Sequence, residues 1–259
     1  MEQLIHFENH WSEKLTGTLH LPDEPGGFGV VFGHCFTCSR HTTILREICS
    51  NLARENFMAL RFDFSGNGQS EGKFSESTYS KQISEMKTAV DFLSKKGVFW
   101  IGLAGHSMGA VIALLAAAQL DTVKAVCALA GRLTGLDATG FLSQSQRQDL
   151  RETGSISFSS RGRRLELSNR FFADAEQYNL PKVIAGLRPP LLVVHGDRDE
   201  IIPVREAYQA QRLNPAGTTL TVIADADHMF SNEDHRRQIS ELVAAWFKQK
   251  KIMSKHTGP

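Results

Sequence analysis

No stretch of this sequence stays apolar for the roughly 20 residues that a membrane-spanning helix needs. Nor does Met1 to Glu8 carry a basic segment followed by an apolar one, so no secretory leader is expected and the chain reads as cytoplasmic. Charge of one sign is also lacking. Lys and Arg number 29 against 28 Asp and Glu, a formal +1, which gives no electrostatic reason to expect nucleic acid or an anionic membrane as partner. Cysteine is scarce: Cys35, Cys38, Cys49 and Cys127 are too few for a disulfide framework in 259 residues and read as reduced thiols. Internal repeats and low-complexity segments are missing too. What remains is 41% hydrophobic and 22% charged, enough apolar material for a full core, so global disorder is excluded.

The apolar material is arranged as strands alternating with helices. A loose hairpin is expected over residues 3 to 21. Buried strands are expected at Gly29–Gly33, Phe57–Phe62, Val98–Ala104, Val123–Ala130, Pro189–His195 and Leu220–Ile223. Helical spacing marks Thr42–Glu55, Tyr79–Leu93, the stretch after Ser107, a segment after Pro203, and His235–Lys250 with Ile239, Leu242, Val243, Trp246 and Phe247 on one face. Such alternation implies an α/β fold, a mostly parallel sheet covered on both faces, with reactive groups gathered beyond the carboxyl ends of the strands. From Gly131 to about Arg188 the alternation breaks, and a small hairpin around Ser159–Arg163 is all that can be read there. One core of residues 1–131 and 188–259, interrupted by an insertion over 132–187, is expected. The tail from Ser254 is expected to fray.

Three loops carry the chemistry. Gly105-His106-Ser107-Met108-Gly109 lies between a strand and an alanine-rich helix, where a Gly-x-Ser-x-Gly turn lifts a serine hydroxyl clear of the backbone. Taken alone, it could be a tight turn with a capping serine. A serine hydroxyl is a weak nucleophile and needs a base, itself held by a carboxylate. Downstream, His195-Gly196-Asp197-Arg198-Asp199 and Asp225-Ala226-Asp227-His228 each follow a strand. The order Ser, Asp, His is the order expected of α/β-hydrolases.

On these motifs, with Asp63-x-x-Gly-x-Gly-x-Ser70, the chain resembles the α/β-hydrolase superfamily over essentially its whole length. The elbow and acid loop are similar to small bacterial carboxyl and feruloyl esterases. His34-Cys35-Phe36-Thr37-Cys38-Ser39 with Arg61 to Gly66 is similar to the hydrolase half of bacterial fusions whose other half is an osmotically inducible, peroxide-reducing domain. The resemblance implies that Ser107 is the nucleophile and His228 the general base, and that the backbone N–H groups of Met108 and Phe36 form the oxyanion hole. It implies Asp199 as the acid, with Asp197 as second candidate and loop brace. Where many relatives have His-Gly, this chain has His34-Cys35. A redox or zinc reading of Cys35-x-x-Cys38 lacks both a thioredoxin-like surround and a second ligand pair.

The expected activity is hydrolysis of a small-molecule carboxylic ester through an acyl-enzyme, without metal or organic cofactor. A thioester or small amide could be cleaved by the same residues, and a non-catalytic binding protein on this fold is the rival from another class. The insertion is expected to cap the site and choose the acyl group, with Leu133, Leu136, Phe141, Leu142, Phe171 and Phe172 as pocket candidates. His34 is a further candidate for substrate contact. A pocket of that size suits short to medium acyl chains or a compact aromatic acid. The insertion holds eight Lys and Arg against six acids, an excess of two that by itself gives no reason to expect an acidic substrate.

Overall fold

The computed structural model describes residues 1–136, 139–140 and 142–256. Its centre is an eight-stranded sheet in the order β1-β2-β4-β3-β5-β6-β9-β10. The strands are β1 (Glu2–Glu8), β2 (Lys14–His20), β3 (Phe28–Gly33), β4 (Met58–Phe62), β5 (Trp100–His106), β6 (Val123–Leu129), β9 (Leu191–Gly196) and β10 (Thr218–Ile223). The first two form the expected hairpin and join β4 antiparallel; every other pairing is parallel. β3, β4, β5 and β9 are buried at every residue, which is why they read as unbroken apolar runs rather than as alternating ones.

Helices α2 (Tyr79–Lys95), α3 (Met108–Ala117) and α7 (Arg205–Leu213) cover one face of the sheet, and α1 (Thr43–Arg54) and α8 (Glu233–His256) cover the other. α3 is apolar all round and buried throughout, as befits a helix with no solvent face. On α8, Ile239, Val243, Trp246 and Phe247 are buried and Leu242 packs beside them. That helix is longer than the sequence pattern indicates. It continues to His256, so the frayed tail expected from Ser254 is corrected for residues 254–256; residues 257–259 lie outside those described.

Between β6 and β9 the chain leaves the sheet. It forms α4 (Gln144–Thr153), an antiparallel hairpin of β7 (Ser155–Ser160) and β8 (Arg163–Ser168), α5 (Asn169–Ala175) and α6 (Leu180–Ala185). α4 buries none of its residues. It is held instead by a capping box, in which the Ser143 hydroxyl accepts from Gln146 N–H and the Gln146 side chain accepts from Ser143 N–H, and by Gly154 in the left-handed region at its end.

Candidate active site

Ser107 sits where β5 turns into α3, with φ 56° and ψ −117°, a conformation that costs a non-glycine residue of order 1–3 kcal/mol. Close packing enforces the turn. A Cβ on Gly105 would run into the Gly109 carbonyl, and one on Gly109 into the Gly33 carbonyl, so only glycine lets α3 start this close to β5 and β3. Ser107 N–H donates to Leu129 O at 2.8 Å, tying the turn to β6.

The two downstream loops converge on this hydroxyl. His228 Nε2 lies 3.1 Å from Ser107 Oγ, and His228 Nδ1 lies 2.8 Å from Asp199 Oδ2. The carboxylate side chain is fully buried. Its Oδ1 accepts the N–H groups of Ile201 and Ile202 at 2.9 and 2.7 Å, and its Oδ2 also lies 3.1 Å from His195 Nε2. Burial alone would raise this carboxyl, but hydrogen bonds from His195, His228 and Ile202 outweigh it and hold the group well below the usual carboxylate range. An ionised Asp199 accepts the Nδ1 proton of His228, which leaves Nε2 as the acceptor facing Ser107.

Asp197 stands elsewhere. It is exposed, and its Oδ1 accepts Asp225 N–H at 2.7 Å, bracing the acid loop against the histidine loop. Asp227 accepts Ser231 N–H at 2.8 Å, and Asp225 pairs with Arg198 at 3.2 Å. His106 is fully buried; its Nε2–H donates to the His228 carbonyl at 2.8 Å and its ring lies 5.0 Å from the His228 ring. Burial and the neighbouring His228 push it down to about 4, so it is neutral and braces the backbone of its neighbour.

Beyond β3 runs the loop carrying Phe36. His34 Nε2 accepts Phe64 N–H at 3.1 Å, so the proton is on Nδ1, which donates to Cys35 O at 2.7 Å. With both ring nitrogens engaged and the side chain buried, His34 has no polar atom left for a substrate; it orients the loop. The far end is pinned by Asp63, whose carboxylate accepts Arg40 N–H at 2.6 Å and Gln69 N–H at 3.0 Å and pairs with the Arg40 guanidinium. The glycine-punctuated loop after β4 is therefore a brace for the Phe36 loop.

Cys35 and Cys38 are joined by a disulfide, with Cα atoms 5.2 Å apart. This corrects the expectation of reduced thiols at these two positions, while Cys49 and Cys127 are free and buried. The turn in which Cys38 N–H donates to Cys35 O at 3.0 Å brings the two Cβ atoms together, a local geometry that a reading from cellular compartment does not consider. A ring closed over so few residues contributes about 2 kcal/mol in a chain-entropy account. Thr37 is anchored besides by Ser160 Oγ at 2.8 Å and by Arg163, which donates to its carbonyl at 3.2 Å. Cys35→Ser with Cys38→Ser is accordingly expected to lower the unfolding free energy by no more than about 2 kcal/mol and to keep turnover within severalfold of the parent, checked by denaturant titration and steady-state rates. A hundredfold loss in a folded double variant would contradict this.

Phe171 and Phe172 are 2% and 5% exposed, so they are core residues rather than walls of an open pocket. Phe171 lies 5.5 Å from Phe36 and 5.2 Å from Tyr79, behind the Phe36 loop. Leu133 and Leu142 are buried as well, and Phe141 lies outside the described residues. Sequence reading missed Phe158, which stacks on Phe36 at 6.0 Å and 10°, and Phe74, 5.3 Å from Phe36. It missed Glu206 too, whose buried carboxylate takes the N–H groups of Leu133 and Thr134, both at 2.8 Å, and fixes the exit from β6. Among the described residues no group of three or more His, Cys, Asp or Glu could hold a metal ion, and no helix is long and apolar enough to cross a membrane.

Comparison with known proteins bears on the fold. A family model described as serine aminopeptidase, S33, matches residues 30–148. The esterase domain of a Rhodothermus marinus protein superposes with a TM-score of 0.76 at 25% identity, covering 96% of this chain and 98% of that one. Est1E from Butyrivibrio proteoclasticus, solved with ferulic acid, gives a TM-score of 0.84 at 22% identity over 96% and 99%. Among curated sequences, the human mitochondrial palmitoyl-protein thioesterase ABHD10 is 27% identical over 71% of this chain, and a putative phosphoribosyl transferase of Mycobacterium tuberculosis is 26% identical over 90%. This chain spans 60% and 43% of the lengths of those two relatives. The chain has the α/β-hydrolase fold.

Proposed function

We propose that this protein hydrolyses carboxylic esters through an acyl-enzyme on Ser107. The observation that carries the reading is the continuous line Ser107 Oγ, His228, Asp199, with both contacts within hydrogen-bond reach and the correct histidine tautomer enforced. Ser107 Oγ attacks the carbonyl carbon while His228 Nε2 takes its proton; the carbonyl π pair moves onto oxygen. The N–H of Met108, first residue of α3 and so without an intrahelical acceptor, and that of Phe36 receive this oxyanion. Collapse expels the alcohol, which leaves with the proton from His228. Water then repeats the sequence on the acyl-enzyme. A thioester would be cleaved by the same steps with a thiol leaving, and the likeness to a palmitoyl-protein thioesterase keeps that substrate class in view. Turnover of matched oxygen and thiol esters, together with covalent labelling by a serine-directed phosphonate, tests the reading; a protein that neither labels nor turns over any ester would be a binder on this fold.

Residues 132–187 act in this reading as a cap on a core of 1–131 and 188–259. The aromatic group formed by Phe36, Phe74, Phe158 and Phe171 joins cap to core behind the oxyanion loop. Of these, Phe158 is half-buried and is the ring that a substitution can remove with least damage. Phe171→Ala is expected to cost about 3–5 kcal/mol of stability and to yield less folded protein. Phe158→Ala should keep the fold and shift the ratio of rates between short and longer acyl esters, by about 1–3 kcal/mol per methylene accommodated or lost. An equal fall for every ester in a folded Phe158→Ala protein would remove the cap from the choice of acyl group.

A further inference from the structure

A cleft of about 670 Å³ opens between three segments that are far apart in sequence. Thr37 and Ser39 line it from the loop just past Phe36, Met229 lines it from the position after His228, and Arg161 and Arg163 reach it from the β7–β8 hairpin; Arg236 closes the far side. Among the described residues no acid contributes to the lining. Arg236 is already paired with Glu47 at 2.9 Å. Arg161 instead lies over Met229, with Nη2 4.0 Å from its sulfur, and Arg163 donates to Thr37 O at 3.2 Å. Among the described residues neither of these two guanidinium groups meets a carboxylate. The cleft also runs beside the start of α1, whose first turn has no acid and no side-chain cap from Thr42, so the helix adds unpaired N–H groups to the guanidinium charge. Hydroxyls of Ser39, Thr43 and Ser231 supply further donors, those of Thr42 and Thr37 being engaged with Ser39 O and Ser160 Oγ. Two unpaired arginines, hydroxyls and no acid form a surface complementary to a phosphate or carboxylate oxyanion.

Its position says which part of a substrate would lie there. In the serine-esterase reading, on which this inference rests, the leaving atom must sit against His228 Nε2 to take its proton. Whatever that atom is attached to extends past the next residue, Met229, into the cleft. We infer that the cleft between the cap hairpin and the Phe36 and His228 loops is an anion subsite, and that it selects esters or thioesters whose leaving alcohol or thiol bears a phosphate or carboxylate. The acyl group points away from it, toward the aromatic group.

Three acetate esters of substituted phenols provide the test, with a phosphate, a carboxylate or a neutral amide at the far end of the phenol. Arg161→Ala with Arg163→Ala is expected to lower kcat/KM for the two anionic esters at least about fivefold more than for the neutral one. Arg164→Ala, the next side chain along β8 and exposed, alternates to the other face of the hairpin and should not alter that ratio. Added salt should reduce the anionic preference of the parent, and inorganic phosphate should compete with the anionic esters in the parent but not in the double variant. The anionic arm with the larger loss identifies the oxyanion. An equal fall for all three esters in the folded double variant, or no competition by phosphate in the parent, would overturn the inference. Phosphonate labelling of Ser107 and turnover of the neutral ester report separately on the esterase reading. If those fail, calorimetric titration of inorganic phosphate into the parent and the double variant still decides whether the cleft holds an anion.

Discussion

Ser107→Ala is expected to reduce ester turnover by about 10⁶, the scale on which removal of a nucleophile or its base eliminates the work of a whole triad. His228→Ala should fall nearly as far, and the two losses should not add, because hydroxyl and imidazole act on one proton. Combining them is expected to cost little more than either alone. The fold should survive both changes. Ser107 makes its structural bond through the backbone, from N–H to Leu129 O at 2.8 Å. His228 is held from behind by its own carbonyl, which accepts the proton of His106 Nε2 at 2.8 Å. Rates measured on proteins of matched circular dichroism check this. Turnover within tenfold of the parent for either single variant would sink the mechanism.

The second large effect is at the carboxylate. Asp199→Asn is expected to lower turnover by about 10⁴, the loss seen in the serine-protease triad when an amide replaces the acid and the imidazole takes the wrong tautomer. The mutation replaces an acceptor that takes Ile201 N–H, Ile202 N–H and the His228 proton with a group that must also donate. Asp197→Asn should cost far less, because its carboxylate contact with Asp225 N–H at 2.7 Å can be kept by an amide oxygen. The sign of the acid effect is fixed as well. The Asp199 carboxyl is held below its ordinary value, so its contribution to stability is present at neutral pH and is lost only as pH falls below about 4 toward the depressed value. The titration of Asp199 itself therefore contributes no acid limb to activity near neutrality. A reversed ranking of Asp197→Asn and Asp199→Asn would transfer the role.

The core was legible because its physics is local. β3, β5 and β9 are buried on both faces, so each is a continuous apolar run between polar loops, and α3 and α8 carry helical periodicity. The loops carrying Ser107, Asp199 and His228 were legible for a related reason: each follows a strand of the parallel part of the sheet, and the strand order puts their ends along one edge. Other features depend on contacts that no local pattern encodes. α4 buries nothing, so it has no apolar stripe to read. The Cys35–Cys38 bond depends on a turn closed by one backbone hydrogen bond. Phe158 meets Phe36, and Arg161 meets Met229, across long sequence separations. An arginine count over the insertion averages away Arg161 and Arg163, which among the described residues meet no carboxylate and which the hairpin brings beside Met229 and Thr37. Phe171 and Phe172 illustrate the opposite error: apolar residues of the insertion can serve its attachment to the sheet rather than line a pocket.

The account stands or falls on the hydroxyl of Ser107 being activated by His228, and one measurement addresses that directly. Intact-mass analysis after exposure to a serine-directed fluorophosphonate should show a single adduct per chain, mapped by peptide sequencing to Ser107. The adduct should be absent in Ser107→Ala and formed far more slowly in His228→Ala. A folded parent protein that takes up no adduct, or takes it up equally in the Ser107→Ala variant, would contradict the account.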